Sequence, residues 1–190
     1  MKVQKGEAGY LQARKNKLLI IVLIYVVVIV GTLIFGYIQT KTRLNFFTMG
    51  AILVCLPGCR ALVNLIMVLP NKSIKPEIKE EIDAKTEYLD VIYDLVVTSE
   101  KSAMPIQAIV ISGNTVCGYT SSFKVSKSYA GEHIKSILEQ NGIEKVTVKV
   151  FRDYVSFLSR AEGLNSMAAI QQPDEERIQA IRSLILDISL

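Results

Sequence analysis

The chain is short of the side chains that carry most enzyme chemistry. Its 190 residues include one histidine, His133, and three cysteines, Cys55, Cys59 and Cys117. A single histidine removes a zinc site of the usual Cys/His spacing. Three scattered cysteines are too few for a secreted disulfide framework, which points to a reduced cytoplasmic compartment. Formal charge is missing from Leu18 to Tyr37, and residues 71–190 hold no internal repeat or low-complexity tract. No catalytic signature stands out, and no cofactor is expected.

An excess of basic residues is also missing where a nucleic-acid surface would need it. The net charge of +4 is concentrated at the ends of the apolar runs: five basic side chains against one acidic in residues 1–17, then Lys41, Arg43 and Arg60. Residues 71–190 carry 14 basic and 17 acidic side chains. The basic balance therefore belongs to membrane flanks, and no nucleic-acid partner is expected.

Half of the residues are apolar, and they crowd between Leu18 and Leu69. Residues 18–37 form an uncharged stretch of 20, which as a helix covers ~30 Å of hydrocarbon. The run is longer than a signal-peptide core and no small-residue cleavage site follows, so it reads as a retained anchor. Residues 44–69 make a second span that is long enough to tilt. Pro57-Gly58 predicts a kink within it. Between them lies a short outer loop, 38–43, bracketed by Tyr37 and the pair Phe46 and Phe47, as an aromatic belt would be. Lys2, Lys5, Arg14, Lys15 and Lys17 precede the first span, and Lys72, Lys75 and Lys79 follow the second. The positive-inside rule then places both termini in the cytoplasm of a bacterial-type plasma membrane. Asn71 of the Asn-Lys-Ser sequon is on the wrong side for glycosylation.

Arg60 sits ~15 Å inside the inner end of the second span, where an arginine costs ~3 kcal/mol on insertion scales. Arg60 and Asn64, four apart, share a helical face. They could line a pathway or read an anionic headgroup, or Arg60 could snorkel to the inner headgroups and fix depth. The depth anchor is the simpler reading, because a two-span hairpin has too little wall to enclose a pathway without oligomerising. Cys55 and Cys59 share a face in the same way and read as small packing side chains.

Residues 71–190 read as a soluble α/β (or α+β) domain in the order α-β-β-β-α-β-α-α. Pro76 with Glu77, Glu80 and Glu81 starts a helix along which Ile74, Ile78 and Ile82 repeat every four residues. Tyr88 to Thr98 alternates Leu89, Val91, Tyr93, Leu95 and Val97; helical spacing through Leu89, Ile92, Tyr93 and Val96 also fits, and the β-branched residues of its second half favour a strand. Two apolar runs meet at Gly113-Asn114 and predict a hairpin. A helix from about Ser128 to Gln140 ends at Asn141-Gly142-Ile143. Lys145 to Phe151 predicts a strand, and Asp153 caps a helix that buries Tyr154, Phe157, Leu158 and Ala161 and ends near Gly163. A looser stretch, Glu162 to Gln172, leads to a last helix with Pro173 in its first turn. Its stripe of Ile178, Ile181, Leu184, Ile185 and Ile188 serves the domain's own packing or docks a second copy, the former being preferred.

The order helix, three strands, helix, strand, helix resembles the core of the restriction-endonuclease-like fold, including the nuclease-related domain of some membrane-anchored bacterial proteins. The likeness covers about residues 75–164 and rests most on SKSYAGEHIKSILEQNGIEKVTVKVF, which is similar to the family's segment where a helix with a central His-Ile leads into a Val-rich strand. That resemblance implies an Asp on one hairpin strand and a Glu-x-Lys or Asp-x-Lys on the next, holding Mg²⁺. Neither Ile106–Ile111 nor Thr115–Thr120 has a carboxylate or a lysine, so a member of that family with these strands would be catalytically dead.

Asp90, Asp94 and His133 form a candidate polar cluster that could meet as a metal site. A half-exposed strand face explains the two aspartates more simply, and a lone helical histidine is commonly a satisfied side chain. Cys117 lies in an apolar hairpin with no base nearby in sequence, and reads as core. SGNTVCG lacks the helix and lysine of a phosphate loop and reads as a turn. The whole predicts a membrane-tethered binding, regulatory or scaffold module without catalysis. Its partners are the lipid bilayer and a second protein or further copies of itself. A degenerate nuclease-like enzyme and a small oligomeric channel or transport accessory subunit are the alternatives.

Overall fold

The computed structural model describes residues 3–41, 46–99, 102–123, 125–171 and 174–189. The chain divides into two compact units, one of residues 12–70 and one that joins residues 1–11 to residues 71–190. The first is a pair of helices, α1 (Tyr10–Thr40) and α2 (Phe46–Val68), each long and apolar enough to cross a membrane. At 1.5 Å per residue, the 31 residues of α1 extend ~46 Å, so Arg14, Lys15 and Lys17 lie on its first turns. α2 stays helical across Pro57. The two helices pack through Gly58, where a Cβ would stand 3.5 Å from Cβ of Tyr25. Phe35 and Phe47 meet edge to face at 5.5 Å. The expected outer loop falls partly on residues 42–45, which lie outside the described residues, as do Arg43 and the expected start of the second span at Leu44.

The second unit builds a mixed four-stranded sheet in the order β1-β2-β3-β4 from β1 (Asp90–Thr98), β2 (Ala103–Ser112), β3 (Thr115–Tyr119) and β4 (Thr147–Phe151). β1, β2 and β3 are antiparallel neighbours, and β4 joins β3 in parallel. α4 (Lys127–Gln140) and α6 (Glu175–Asp187) cover one face, while α3 (Pro76–Lys85) and α5 (Tyr154–Ile170) cover the other. The expected order α-β-β-β-α-β-α-α is observed. Burial on both faces makes this a three-layer domain with two apolar cores.

Local chemistry explains most boundaries. Gly113 takes φ +51° in the β2–β3 turn, and Gly142 takes φ +82° where α4 stops. There the Gly142 N–H donates to the Glu139 carbonyl and the Ile143 N–H to that of Leu138, closing a Schellman motif. Asp153 accepts from the Ser156 N–H at 2.9 Å and caps α5. Hydrogen bonds from the Ser156 hydroxyl and N–H hold its carboxyl below the usual range. The expected break near Gly163 does not occur: α5 runs on to Ile170 and buries Leu164 and Ala168. Burial worth ~1.5–3 kcal/mol for the leucine outweighs the ~1 kcal/mol that a helical glycine costs. Pro173 lies outside the described residues. α6 is capped by Asp174 and seats Ile178, Ile181 and Ile185 against the sheet and α4, so its stripe is the domain's own packing.

The simple alternation expected of β1 is broken. Leu89, Val91 and Tyr93 belong to the core under α3 and α5, whereas Leu95 and Val97 belong, with Ile92, to the core under α6. The faces therefore swap at Asp94, whose φ is +53°. β2 swaps at the facing residue: Met104 and Ile106 share a core with Ile109 and Ile111, leaving Gln107 as the extra residue. Because both strands take an extra residue at facing positions, the pairing resumes in register, from Tyr93↔Ala108 to Leu95↔Ile106.

Candidate functional site

β1 is an edge strand, and bare edges are prone to stray pairing. Here the chain's own ends cover it. The Tyr93 N–H donates to the Gly6 carbonyl at 2.8 Å, and the Thr98 N–H to the Ile188 carbonyl at 3.3 Å. The Lys5 ammonium donates to the Ser189 carbonyl at 2.6 Å. Gly6 must be glycine on two counts. Its φ is +94°, and a Cβ there would stand 2.9 Å from Ile92 Cγ2 and 3.1 Å from Leu186 Cδ2.

The face swap turns the Asp94 carboxylate, which is fully buried, to a use that neither core could offer it. Its Oδ2 accepts from the Gly9 N–H at 2.6 Å, and its Oδ1 accepts from the Ile74 N–H at 2.8 Å. Gly9 directly precedes α1, and Ile74 follows α2 by six residues. One carboxylate thus holds both chain segments through which the α/β unit connects to the helices. Buried backbone donors need such partners, and charged acceptors give the stronger hydrogen bonds. Aspartate also tolerates the left-handed backbone better than most residues do.

The three members of the predicted polar cluster are not brought together. Asp90, at the first position of β1, pairs with Arg182 of α6. His133 donates from Nε2 to the Thr98 carbonyl at 3.1 Å and stacks on Tyr129. Asp90 and Thr98 are eight residues apart on one strand, about 26 Å at the usual rise. Asp94 lies between them with its own two partners. No group of three or more His, Cys, Asp or Glu side chains is arranged to hold a metal among the described residues. Arg60 is exposed on α2 and Asn64 is half-buried. Cys55 and Cys59 approach to 3.8 Å between sulfurs. Cys117 is buried, and burial pushes its thiol up against the weaker opposing pull of Arg160. That is the setting of a core cysteine rather than of a nucleophile.

Sequence reasoning missed Gly6 and Gly9, and it read Ile74 only as part of a helical repeat, whereas α3 begins at Pro76 and the Ile74 N–H goes to Asp94. The available signal was the pair of glycines in GEAG just before the first helix. A second polar site was missed too: Tyr93 donates to Asp83 at 2.5 Å and Tyr154 to Glu81 at 2.7 Å, pinning α3 to the sheet and to α5. Burial first, and then these carboxylates, push both phenols well above their ordinary values. The SGNTVCG turn borders a cavity of about 290 Å³, whose other wall is Leu164, Met167, Ala168 and Gln171 of the α5 end. No family model, curated protein or solved structure matches this chain.

Proposed function

We propose that the chain is a membrane-tethered binding or scaffold module of a plasma membrane. The hairpin of α1 and α2 crosses the bilayer twice, both termini are cytoplasmic, and the α/β unit works at the inner face by holding a partner. The observation that carries this reading is the Asp94 junction. The chain leaves the α/β unit beside Gly9 and re-enters it beside Ile74, both held by one carboxylate. That return to one point suits an even number of crossings. Basic flanks at Arg14, Lys15 and Lys17 and at Lys72, Lys75 and Lys79 favour the inner side for both ends. The two aspartates with the best claim to chemistry are engaged in structure, Asp94 by backbone donors and Asp90 by Arg182.

A degenerate phosphodiester enzyme is the second reading. In its favour β2 and β3 are the inner strands of the sheet, as the resemblance needs. Against it, no carboxylate stands on either strand. An oligomeric channel draws only on the exposed position of Arg60. Chemical crosslinking of the intact protein in native membranes separates these readings. A heterologous complex of fixed stoichiometry, crosslinked through residues 71–189, is the expected result. A ladder of its own multiples crosslinked only through residues 12–70 would overturn the binding module in favour of an oligomer.

A further inference from the structure

The apolar helices carry one polar strip. Leu53, Pro57, Arg60 and Asn64 of α2 follow one another at intervals of four, three and four residues, and so share one side of the helix. That side is turned from α1. α2 meets α1 at Gly58, where a Cβ would stand 3.5 Å from Tyr25 Cβ and 3.8 Å from Ile29 Cδ1. It buries Ala51 and Ala61 on the same side, seven residues before Gly58 and three after it. Arg60 lies about 200° of helical turn from Gly58 and is exposed.

The strip is short of partners. Arg60 forms no salt bridge, and neither Arg60 nor Asn64 makes a side-chain hydrogen bond, among the described residues. Pro57 has no N–H to give the Leu53 carbonyl, which loses its usual helical donor. Arg60 stands fourteen residues from Phe46 and eight from Val68, so a bilayer around α2 holds its guanidinium within hydrocarbon. Ionisable side chains at such depth pair with one another or with backbone carbonyls. α2 is unbroken across Pro57, so no break in the helix brings Arg60 closer to the headgroups. Residues 12–70 contain no aspartate or glutamate, so neither α1 nor the spans of a second copy can neutralise it. Pairing this face with itself about a two-fold axis would set arginine against arginine.

We infer that the Arg60 face of α2 docks a membrane-spanning helix of a partner protein that carries an aspartate or glutamate at matching depth. This inference goes beyond the binding-module reading by adding a contact inside the bilayer, and it rests on that reading for the two crossings. The guanidinium takes the carboxylate through paired N–H donors, and Asn64, one turn on, supplies a second hydrogen-bonding group. Charge complementarity then selects an acidic helix over a purely apolar one.

The test uses the full-length protein in phosphatidylcholine liposomes with a synthetic Leu-Ala helix as long as α2, carrying one glutamate at its centre and a photo-leucine beside it. Saturable crosslinking is expected, mapped by mass spectrometry to α2 between Leu53 and Asn64. It should fall at least tenfold when leucine replaces the glutamate of the peptide, fall as far in Arg60→Leu, and largely survive in Arg60→Lys. The leucine peptide leaves the protein untouched, so that comparison does not depend on how any variant folds. Equal crosslinking by the two peptides, as a depth anchor held by headgroups would give, overturns the docking face. So does crosslinking that Arg60→Leu leaves unchanged, or joining of α2 to α2 of a second copy through this face without peptide. Alkaline extraction of native membranes separates the two levels of the argument. Protein that resists extraction but ignores the glutamate loses only the docking face, whereas protein that is extracted loses the membrane tether with it.

Discussion

Ile24 and Ile82 are the same side chain in opposite circumstances: 54% of Ile24 is exposed on α1, and none of Ile82 on α3. The contrast runs through the two units. The helices of residues 12–70 show apolar side chains on every side, from Leu19 and Leu23 to Ile52 and Ile66. The α/β unit encloses its isoleucines and valines between sheet and helices. Equal hydrophobicity is thus met in two ways: the second unit covers its apolar side chains itself, and the first leaves them exposed on helices long and apolar enough to cross a membrane. Where the chain passes from one regime to the other, a buried carboxylate adds two hydrogen bonds to the apolar packing of Ala8, Leu11 and Ile74. That group is Asp94.

Substitutions can break this contrast from either side. The largest effect is expected for Phe157→Ala, which empties a fully buried site beside Tyr119 and Phe151 and should cost about 3–5 kcal/mol. With Cys55 and Cys59 replaced by serine, the labelling rate of the buried Cys117 thiol reports opening of the α/β unit, and it should rise steeply. Asp94→Ala should come next, at about 2–4 kcal/mol, because it removes the partner of one buried N–H donor, Ile74, and one half-buried donor, Gly9. Asp94→Gly would relieve the backbone at φ +53° and still lose both hydrogen bonds, so stability close to wild type would show that strain, not the carboxylate, matters there. Ile24→Asp should act on the other unit alone, costing about 3 kcal/mol of insertion with no change in Cys117 labelling. Failure of the variant to alter the membrane-inserted fraction would contradict the lipid assignment of α1.

The smallest effect is one of pH. Asp153 has a lowered folded-state pKa because it accepts from Ser156, so its contribution is present above the unfolded carboxylate pKa of ~3.9 and is lost as pH falls through the lower folded value. Asp153→Asn should flatten the acid limb of the stability profile and leave the neutral region nearly as it was. An unchanged acid limb would remove the cap from the account.

Much of the architecture is legible in the residues because local signals agree with one another. Gly113-Asn114 marks the hairpin, Asn141-Gly142-Ile143 stops α4, and Ile178, Ile181 and Ile185 face the core at helical spacing. The failures have physical causes. Gly163 reads as an end because a lone sequence shows its propensity but not the burial of Leu164 and Ala168 beyond it. The face swap at Asp94 is hidden because β1 is apolar on both sides, so shifting its faces by one residue leaves the pattern looking the same. Asp94 itself reads as a half-exposed strand residue, since its partners are backbone groups 85 and 20 residues away. The role of Gly6 and Gly9 was concealed for the same reason. A basic tail over residues 1–17 describes the charge, yet the residues through Leu11 belong to the α/β unit.

The central claim is that one carboxylate fastens both chain connections to the edge of the sheet. Amide hydrogen exchange, resolved residue by residue in nanodiscs for wild type and Asp94→Ala, tests it most directly. The account predicts that the Gly9 and Ile74 amides are protected together in the wild type and lose protection together in the variant, while Ile109 and Val110 in β2 stay slow. Loss at only one of the two amides, or at neither, would contradict it.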